Sequence, residues 1–321
     1  MSTLVFLEHH EGTLQKGSLG ALSKAASLDP DTAGVVIGSG VADIAAQAGR
    51  YGAARVFVAD DEQLAAPLPQ PRIDVIEALV REHGFDNVLF ASSVLASDIA
   101  AGLSGRLDAG LNWDLNDVST QDGELVGSTT ALEDTVLVEV GWVGTPRIAL
   151  FRSGALEPSE SGGGDAPVEN IGYAPAEHSA KAVMVEQAHE EQTGPSIEEA
   201  DILVTGGRGL GGPEGFKPLE ELAAAMGGAV ASTRAVVDSN WYPYQTQIGQ
   251  TGKTVAPKLY IGFGVSGAIQ HKVGMQSSQT IVAINKDPNA PIFTFADFGV
   301  VGDVNDIVPK LTALVKERRG S

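Results

Sequence analysis

The feature that most constrains this chain is a rhythm of short apolar runs, each followed by a helix-length segment. Leu4-Val5-Phe6-Leu7, Val35-Val36-Ile37-Gly38, Arg55-Val56-Phe57-Val58 and Val88-Leu89-Phe90-Ala91 read as strands. The stretches Leu14–Leu28, Val41–Tyr51, Ile73–Glu82 and Leu95–Leu107 read as helices. Strands this apolar must be covered on both faces, and the alternation with helices calls for a parallel sheet. From about Asp114 the helices stop, and Val118–Ser128, Thr135–Trp142 and Arg147–Phe151 read as successive strands. A loop over Glu157–Gly164 and a last short strand, Ala182–Val185, complete this region.

Residues 187–200 are polar, contain Gly194-Pro195 and read as a linker. That divides the chain into domains over 1–190 and 196–321. Alternation then resumes: strands at Ile202–Val204, Ala229–Ser232, Leu259–Gly262 and Thr280–Ile284, helices at Glu214–Met226 and Val304–Lys316. The predicted fold is α/β with two doubly wound domains, the C-terminal one a parallel sheet flanked by helices. The 321 residues suffice for two such domains, and the 43% apolar content suffices for their cores.

Composition removes several functions. With no cysteine, disulfides, thiolate metal sites, Cys-ligated iron–sulfur clusters and thiol nucleophiles are excluded, so redox chemistry requires an organic cofactor. A net charge of −20 argues against nucleic acid or an anionic membrane as partner. Residues 1–200 carry 31 acidic and 10 basic side chains, residues 201–321 only 10 and 11. A phosphate-bearing cofactor therefore meets least repulsion in the C-terminal third. The opening Met1-Ser2-Thr3 shows no signal pattern, and no apolar run nears the ~20 residues of a membrane span. The expectation is a soluble cytoplasmic protein without membrane insertion.

Four segments can carry chemistry. Gly206, Gly207, Gly209, Gly211 and Gly212 surround Arg208 in a strand-to-helix turn. Such a turn exposes backbone N–H groups to a phosphate, or is simply mobile. Gly207, Gly209 and Gly212 meet the G-x-G-x-x-G spacing, but the next strand ends in Ser232-Thr233 rather than a ribose-binding acid, and no P-loop Lys-Ser/Thr follows. Thr233-Arg234 combines a hydroxyl and a guanidinium that suit a pyrophosphate or a flavin ring; read singly, they are a helix cap and a surface charge. Gln247–Lys253 is either a heterocycle-binding loop or a surface loop. In Tyr260–His271 a strand ends at Gly262, Ser266 caps the next helix, and His271 lies on its second turn. A lone His there is ordinarily structural.

That segment, continued through Lys272-Val273-Gly274-Met275 and Ile281–Pro288, closely resembles the signature of electron transfer flavoprotein α subunits. The resemblance extends over Gly206–Gly209, Thr233-Arg234, Gln250–Lys253, Pro291-Ile292-Phe293 and Asp297–Asp303, and more loosely over the N-terminal region. It implies that the C-terminal domain holds FAD, lined by Arg208, Thr233, Arg234, Gln247, Ile248, Gly249, Gln250 and Thr251. Ser266, Gly267, Ala268, Ile269, Gln270 and His271 would continue the lining. Asn285 and Asp303 would address the adenosine end. Arg234 over the ring, Thr251 at N5 and His271 near O2 would tune the potential of a one-electron carrier by placing positive charge or donors where the added charge develops. None of them would turn over a substrate.

The resemblance further implies a heterodimer with a β subunit that carries AMP. Acyl-CoA and related flavin dehydrogenases would donate electrons, in fatty acid β-oxidation, and a quinone oxidoreductase would accept them. Alternatives are a pyridine-nucleotide-dependent dehydrogenase, a bifurcating variant with a second FAD, and a colourless nucleotide-binding regulator.

Overall fold

In the computed structural model, which describes residues 2–10, 12–132, 136–186 and 196–319, the alternating runs build two separate sheets. The chain divides into two units, Met1–Ala188 and His189–Ser321.

The first unit opens with β1 (Thr3–Phe6), the antiparallel pair β2 (His9–His10) and β3 (Thr13–Leu14), and α1 (Lys16–Leu28). Then come β4 (Ala33–Gly38), α2 (Ala42–Ala45), β5 (Arg55–Asp60), α3 (Pro69–His83), β6 (Asn87–Ala91) and α4 (Val94–Leu107). Five more strands follow: β7 (Leu111–Gln121), β8 (Glu124–Ala131), β9 (Val136–Val140), β10 (Arg147–Phe151) and β11 (Val168–Asn170). They lie in the order β11-β5-β4-β1-β6-β10-β7-β8-β9, parallel as far as β7 and antiparallel beyond it. Consecutive strand residues point to opposite faces, so an apolar run feeds two cores. Leu4, Phe6, Val35, Phe57 and Phe90 pack with Ile73, Ile76 and Leu103 of α3 and α4 on one face. Val5, Leu7, Val36, Val56 and Leu89 pack with Ala21 and Leu22 of α1 on the other.

Local chemistry sets the element ends. Pro at the first helical position suits the start of α3, and Gly84 closes that helix in the left-handed conformation. Ser93 caps α4, accepting from the Ala96 N–H at 2.9 Å.

The sheet corrects several sequence expectations. Val118–Ser128 is not one strand: β7 turns at Asp122-Gly123 and returns as β8. Both turn residues have positive φ, +52° and +81°, which is the type I′ requirement that Asp-Gly satisfies. The strand expected over Thr135–Trp142 is β9; Thr135 itself lies outside the described residues. Ala182–Val185 forms no strand, and Val183 and Val185 are exposed, because no neighbouring strand pairs with them. The helix expected over Val41–Tyr51 is a single α turn followed by a 3-10 segment, Ala46–Tyr51.

Of the expected linker, residues 187–195 lie outside the described residues. Its last part belongs to the second unit, since Ile197 is buried in that unit's core. That unit comprises β12 (Ile202–Gly206), α5 (Phe216–Met226), β13 (Ala229–Thr233), α6 (Arg234–Val237) and β14 (Gln247–Ile248). It continues with β15 (Leu259–Phe263), α7 (Ile269–Lys272), β16 (Ile281–Asn285), β17 (Phe298–Val301) and α8 (Val304–Arg319). All six strands are parallel, in the order β14-β13-β12-β15-β16-β17. Numbered within the unit this is 3-2-1-4-5-6, the doubly wound order in which the direction of strand addition reverses between the first and fourth strands. The α/β class therefore holds in both units, with a mixed sheet in the first and a parallel sheet in the second.

Candidate functional site

A cavity of about 560 Å³ opens at that reversal point, beside the carboxyl ends of β12, β13, β14, β15 and β16. Its size falls in the usual range for small-molecule sites, and its place is where open α/β sheets bind ligands. Backbone packing creates it. Gly207 and Gly209 donate their N–H groups to the carbonyls of Phe263 (2.9 Å) and Gly264 (3.0 Å), so the turns after β12 and β15 lie against each other. A Cβ on Gly207 would strike the Gly264 carbonyl, and one on Gly209 would stand 2.7 Å from the Gly264 Cα. Gly264 itself sits at φ +64°. No other residue type tolerates both the closeness and the dihedral.

Around this crossing the chain gathers residues from five segments. Arg208 comes from the β12 turn, and Thr233 and Arg234 from the end of β13. Gln247, Ile248, Gly249, Gln250 and Thr251 form one wall. Ser266, Ala268, Gln270 and His271, joined by Asn285 at the end of β16, form another. Two hydrogen bonds tie these walls together: Gln250 N–H donates to the Gln270 carbonyl at 2.7 Å, and His271 meets the Ile248 carbonyl at 3.1 Å. Within the loop, Gln247 Nε2 donates to Thr251 Oγ1 at 3.1 Å.

Three of the expected residues stand outside the lining. Gly267, at φ +83°, packs its backbone against Ile292, and the Ile269 side chain is exposed. Asp303 Oδ1 accepts from the Asn305 backbone N–H at 2.8 Å in the first turn of α8. Conversely, the cavity includes Gly209, Ala235, Asp238, Gly264, Val265, Asp287, Ala290 and Pro291. Asp238 is placed by helical spacing, four residues after Arg234, whose Nε donates to its Oδ2 at 3.3 Å. That i,i+4 pair was readable in the sequence.

The helix bearing His271 differs from expectation. α7 is one turn long, its N-terminal cap is Ala268, and Ser266 makes no side-chain cap. The Ser266 carbonyl instead accepts from the Ile292 N–H at 3.0 Å. His271 thus lies in the only turn of α7, not a second one, and is buried. Burial pulls its pKa from 6.5 to about 4, and the Ile248 carbonyl raises it only partly. At neutral pH the imidazole carries no charge, so any fixed positive charge in the lining rests on Arg208 and Arg234.

The groups present suit an elongated anionic ligand carrying a heterocycle. Two guanidiniums and the hydroxyls of Thr233 and Ser266 offer donors for phosphate, whereas the N–H groups of Gly207, Gly209, Leu210 and Gly211, expected to be exposed, are bonded to backbone carbonyls; the Gln247–Thr251 wall offers amides and a hydroxyl for a ring. Among the described residues no group of three or more His, Asp or Glu side chains could hold a metal ion.

Comparison with known proteins agrees with this geometry. Residues 3–176 match the electron transfer flavoprotein domain, and residues 196–276 match the electron transfer flavoprotein FAD-binding domain. The electron transfer flavoprotein subunit alpha of Mycobacterium leprae is 41% identical over 321 residues, covering 99% of both chains. The subunit alpha of Bacillus subtilis is 36% identical, covering 98% of this chain and 97% of that one. Protein FixB of Clostridium saccharobutylicum is 36% identical, covering 98% and 96%. The chain belongs to the electron transfer flavoprotein α-subunit family.

Proposed function

We propose that the second unit holds FAD in the cavity at the sheet's reversal point and that the chain carries single electrons. The observation behind this is the Gly207–Gly209 and Gly264 crossing, which opens a phosphate-accessible cavity and lines it with most of the residues the family signature implies. Arg208, Thr233 and Ser266 would hold the phosphates, and Arg234 would lie against the ring. Thr251 would serve N5, with Gln247, Ile248, Gly249 and Gln250 along the ring edge and Ala268, Gln270 and His271 beneath it. Asn285 is proposed for the adenosine end. Asp303 is proposed with it, together with Gly267 and Ile269 as supporting backbone. When bound, the flavin supplies reversible one-electron chemistry; the protein's part is to orient it, exclude water and set its potential.

The wider reading is a heterodimer with an electron transfer flavoprotein β subunit carrying AMP. Acyl-CoA and related flavin dehydrogenases would donate and a quinone oxidoreductase would accept, in the cytoplasm. No helix among the described residues is long and apolar enough to cross a membrane.

The test is the absorption spectrum of this chain co-expressed with its β partner, before and after stepwise reduction. Stoichiometric flavin that accumulates a one-electron-reduced form is expected. A colourless saturated preparation overturns the proposal, and intrinsic NAD(P)H oxidation would favour a dehydrogenase. Counting flavins per heterodimer separates a carrier, with one, from a bifurcating variant, with two.

A further inference from the structure

Beneath the cavity floor lies a buried pair that no ligand contact explains. Tyr260, the second residue of β15, is fully buried, and its hydroxyl meets His271 Nε2 at 2.8 Å. The other ring nitrogen, Nδ1, meets the Ile248 carbonyl at 3.1 Å. A carbonyl oxygen can only accept, so Nδ1 carries the proton. A neutral imidazole protonated at Nδ1 has a bare lone pair at Nε2, so the Tyr260 hydroxyl must donate to it. The phenol has room because its strand neighbour is glycine: a Cβ at Gly262 would stand 3.0 Å from Tyr260 Cε1 and 3.3 Å from its hydroxyl.

We propose that Tyr260 is a positioning residue: the Ile248 carbonyl sets His271 as the Nδ1–H tautomer, and the Tyr260 hydroxyl, by donating to the Nε2 left bare, holds the ring against that carbonyl and so holds one wall of the cavity. Tyr260 does not line the cavity and acts only through His271. His271 links β15 chemistry to the Gln247–Thr251 wall, because Ile248 belongs to that wall. The imidazole then presents a satisfied, uncharged edge to whatever ring occupies the site. The bearing on a flavin rests on the function proposed above; the tautomer itself does not.

The experiment uses the full heterodimer with ¹⁵N-labelled histidine, the His271 signals being assigned by their loss in His271→Asn. In the wild type, Nδ1 should be protonated and Nε2 a hydrogen-bonded acceptor. Tyr260→Phe keeps the ring packing and removes the donor. With its donor gone, Nε2 should move to the ¹⁵N shift of an unbonded acceptor while Nδ1 stays protonated, and the flavin potential should shift with it. A protonated Nε2 in the wild type overturns the proposal. So do wild-type ¹⁵N shifts at Nδ1 and Nε2 in Tyr260→Phe, even if flavin is lost, since a merely structural tyrosine gives that result. Because the wild-type reading does not depend on Tyr260→Phe, poor folding of that variant leaves it decisive. A preparation without flavin but with the expected tautomer would sink the proposed function and support this one.

Discussion

In the first unit the protein closes its own strand ends. Asp60, at the end of β5, accepts from the N–H groups of Gly40 (2.7 Å), Val41 (2.9 Å) and Ala42 (3.0 Å), the turn after β4. At the reversal between β1 and β6, Ser93 Oγ donates to Glu8 Oε2 at 2.6 Å. The second unit repeats the strand order β5-β4-β1-β6 as β14-β13-β12-β15. Gly38 of β4 pairs with Asp60, whereas the matching Thr233 of β13 pairs with Ile248. Exposed backbone N–H groups attract an anion wherever the fold presents them. A carboxylate at the end of the neighbouring strand satisfies them internally; an aliphatic residue leaves them to a ligand. One architecture therefore yields a sealed edge and an open one, and the difference lies in a few strand-end side chains.

The largest test of this contrast is Gly264→Ala. It adds a Cβ against the Gly209 backbone at φ +64°, combining overpacking with a left-handed penalty, at a cost of about 3 kcal/mol. The second unit should unfold at lower denaturant and release its ligand, while the first unit's transition stays in place. A cost below about 1 kcal/mol would mean that the crossing does not shape the cavity.

A comparable effect comes from pH. His271 has a pKa of about 4 in the folded chain against 6.5 in its ordinary state. Between these values the unfolded chain binds the extra proton, so stability present above pH 6.5 is lost as pH falls toward 4. The full loss is about 3 kcal/mol. His9 of the first unit is also shifted down, chiefly by burial, and acts in the same direction. Denaturation midpoints of the second unit between pH 7 and 4.5 measure the slope, which His271→Asn should flatten. An unchanged slope would show that His271 binds its proton as readily in the folded chain as in the unfolded one.

Asp60→Ala should be milder. It strips three backbone donors of their acceptor and should cost about 1–2 kcal/mol. The loss should appear in the first unit's melting, with ligand retention in the second unchanged. Equal losses in both units would break the division drawn here.

Much of this was legible in the chain itself. Val35–Gly38 and Leu259–Gly262 announced buried strands because burial on both faces demands uninterrupted apolar residues. The glycine turns announced a close approach. What escaped was decided by tertiary pairing. β17, exposed at every position, was not among the expected strands, and β14 is two residues inside a polar stretch. Ala182–Val185 had strand composition and no strand to pair with. At the site, the residue types pointed to loops that line the cavity, but not to the burial that keeps His271 neutral, nor to Asp287, placed at the cavity by the turn after β16. Asp122-Gly123, by contrast, was a turn signal open to reading.

The smallest expected change in stability is also the most informative about function. Arg234 and Asp238 form an i,i+4 pair at 3.3 Å, with side chains 63% and 61% exposed. Solvent screening leaves such a pair under about 0.5 kcal/mol, so Arg234→Ala should melt like the wild type. If the guanidinium lies against a flavin, its loss removes positive charge from where the added electron's charge develops. The flavin potential should then fall and less of the one-electron-reduced form should accumulate in a reductive titration. Thr251→Ala should also shift the potential while FAD stays bound, through loss of the hydroxyl that Gln247 now holds. Asp60→Ala, which lowers stability, should leave the potential where it was. An Arg234→Ala protein with both unchanged melting and an unchanged titration would remove Arg234 from the ring and leave Arg208 as the cavity's working cation.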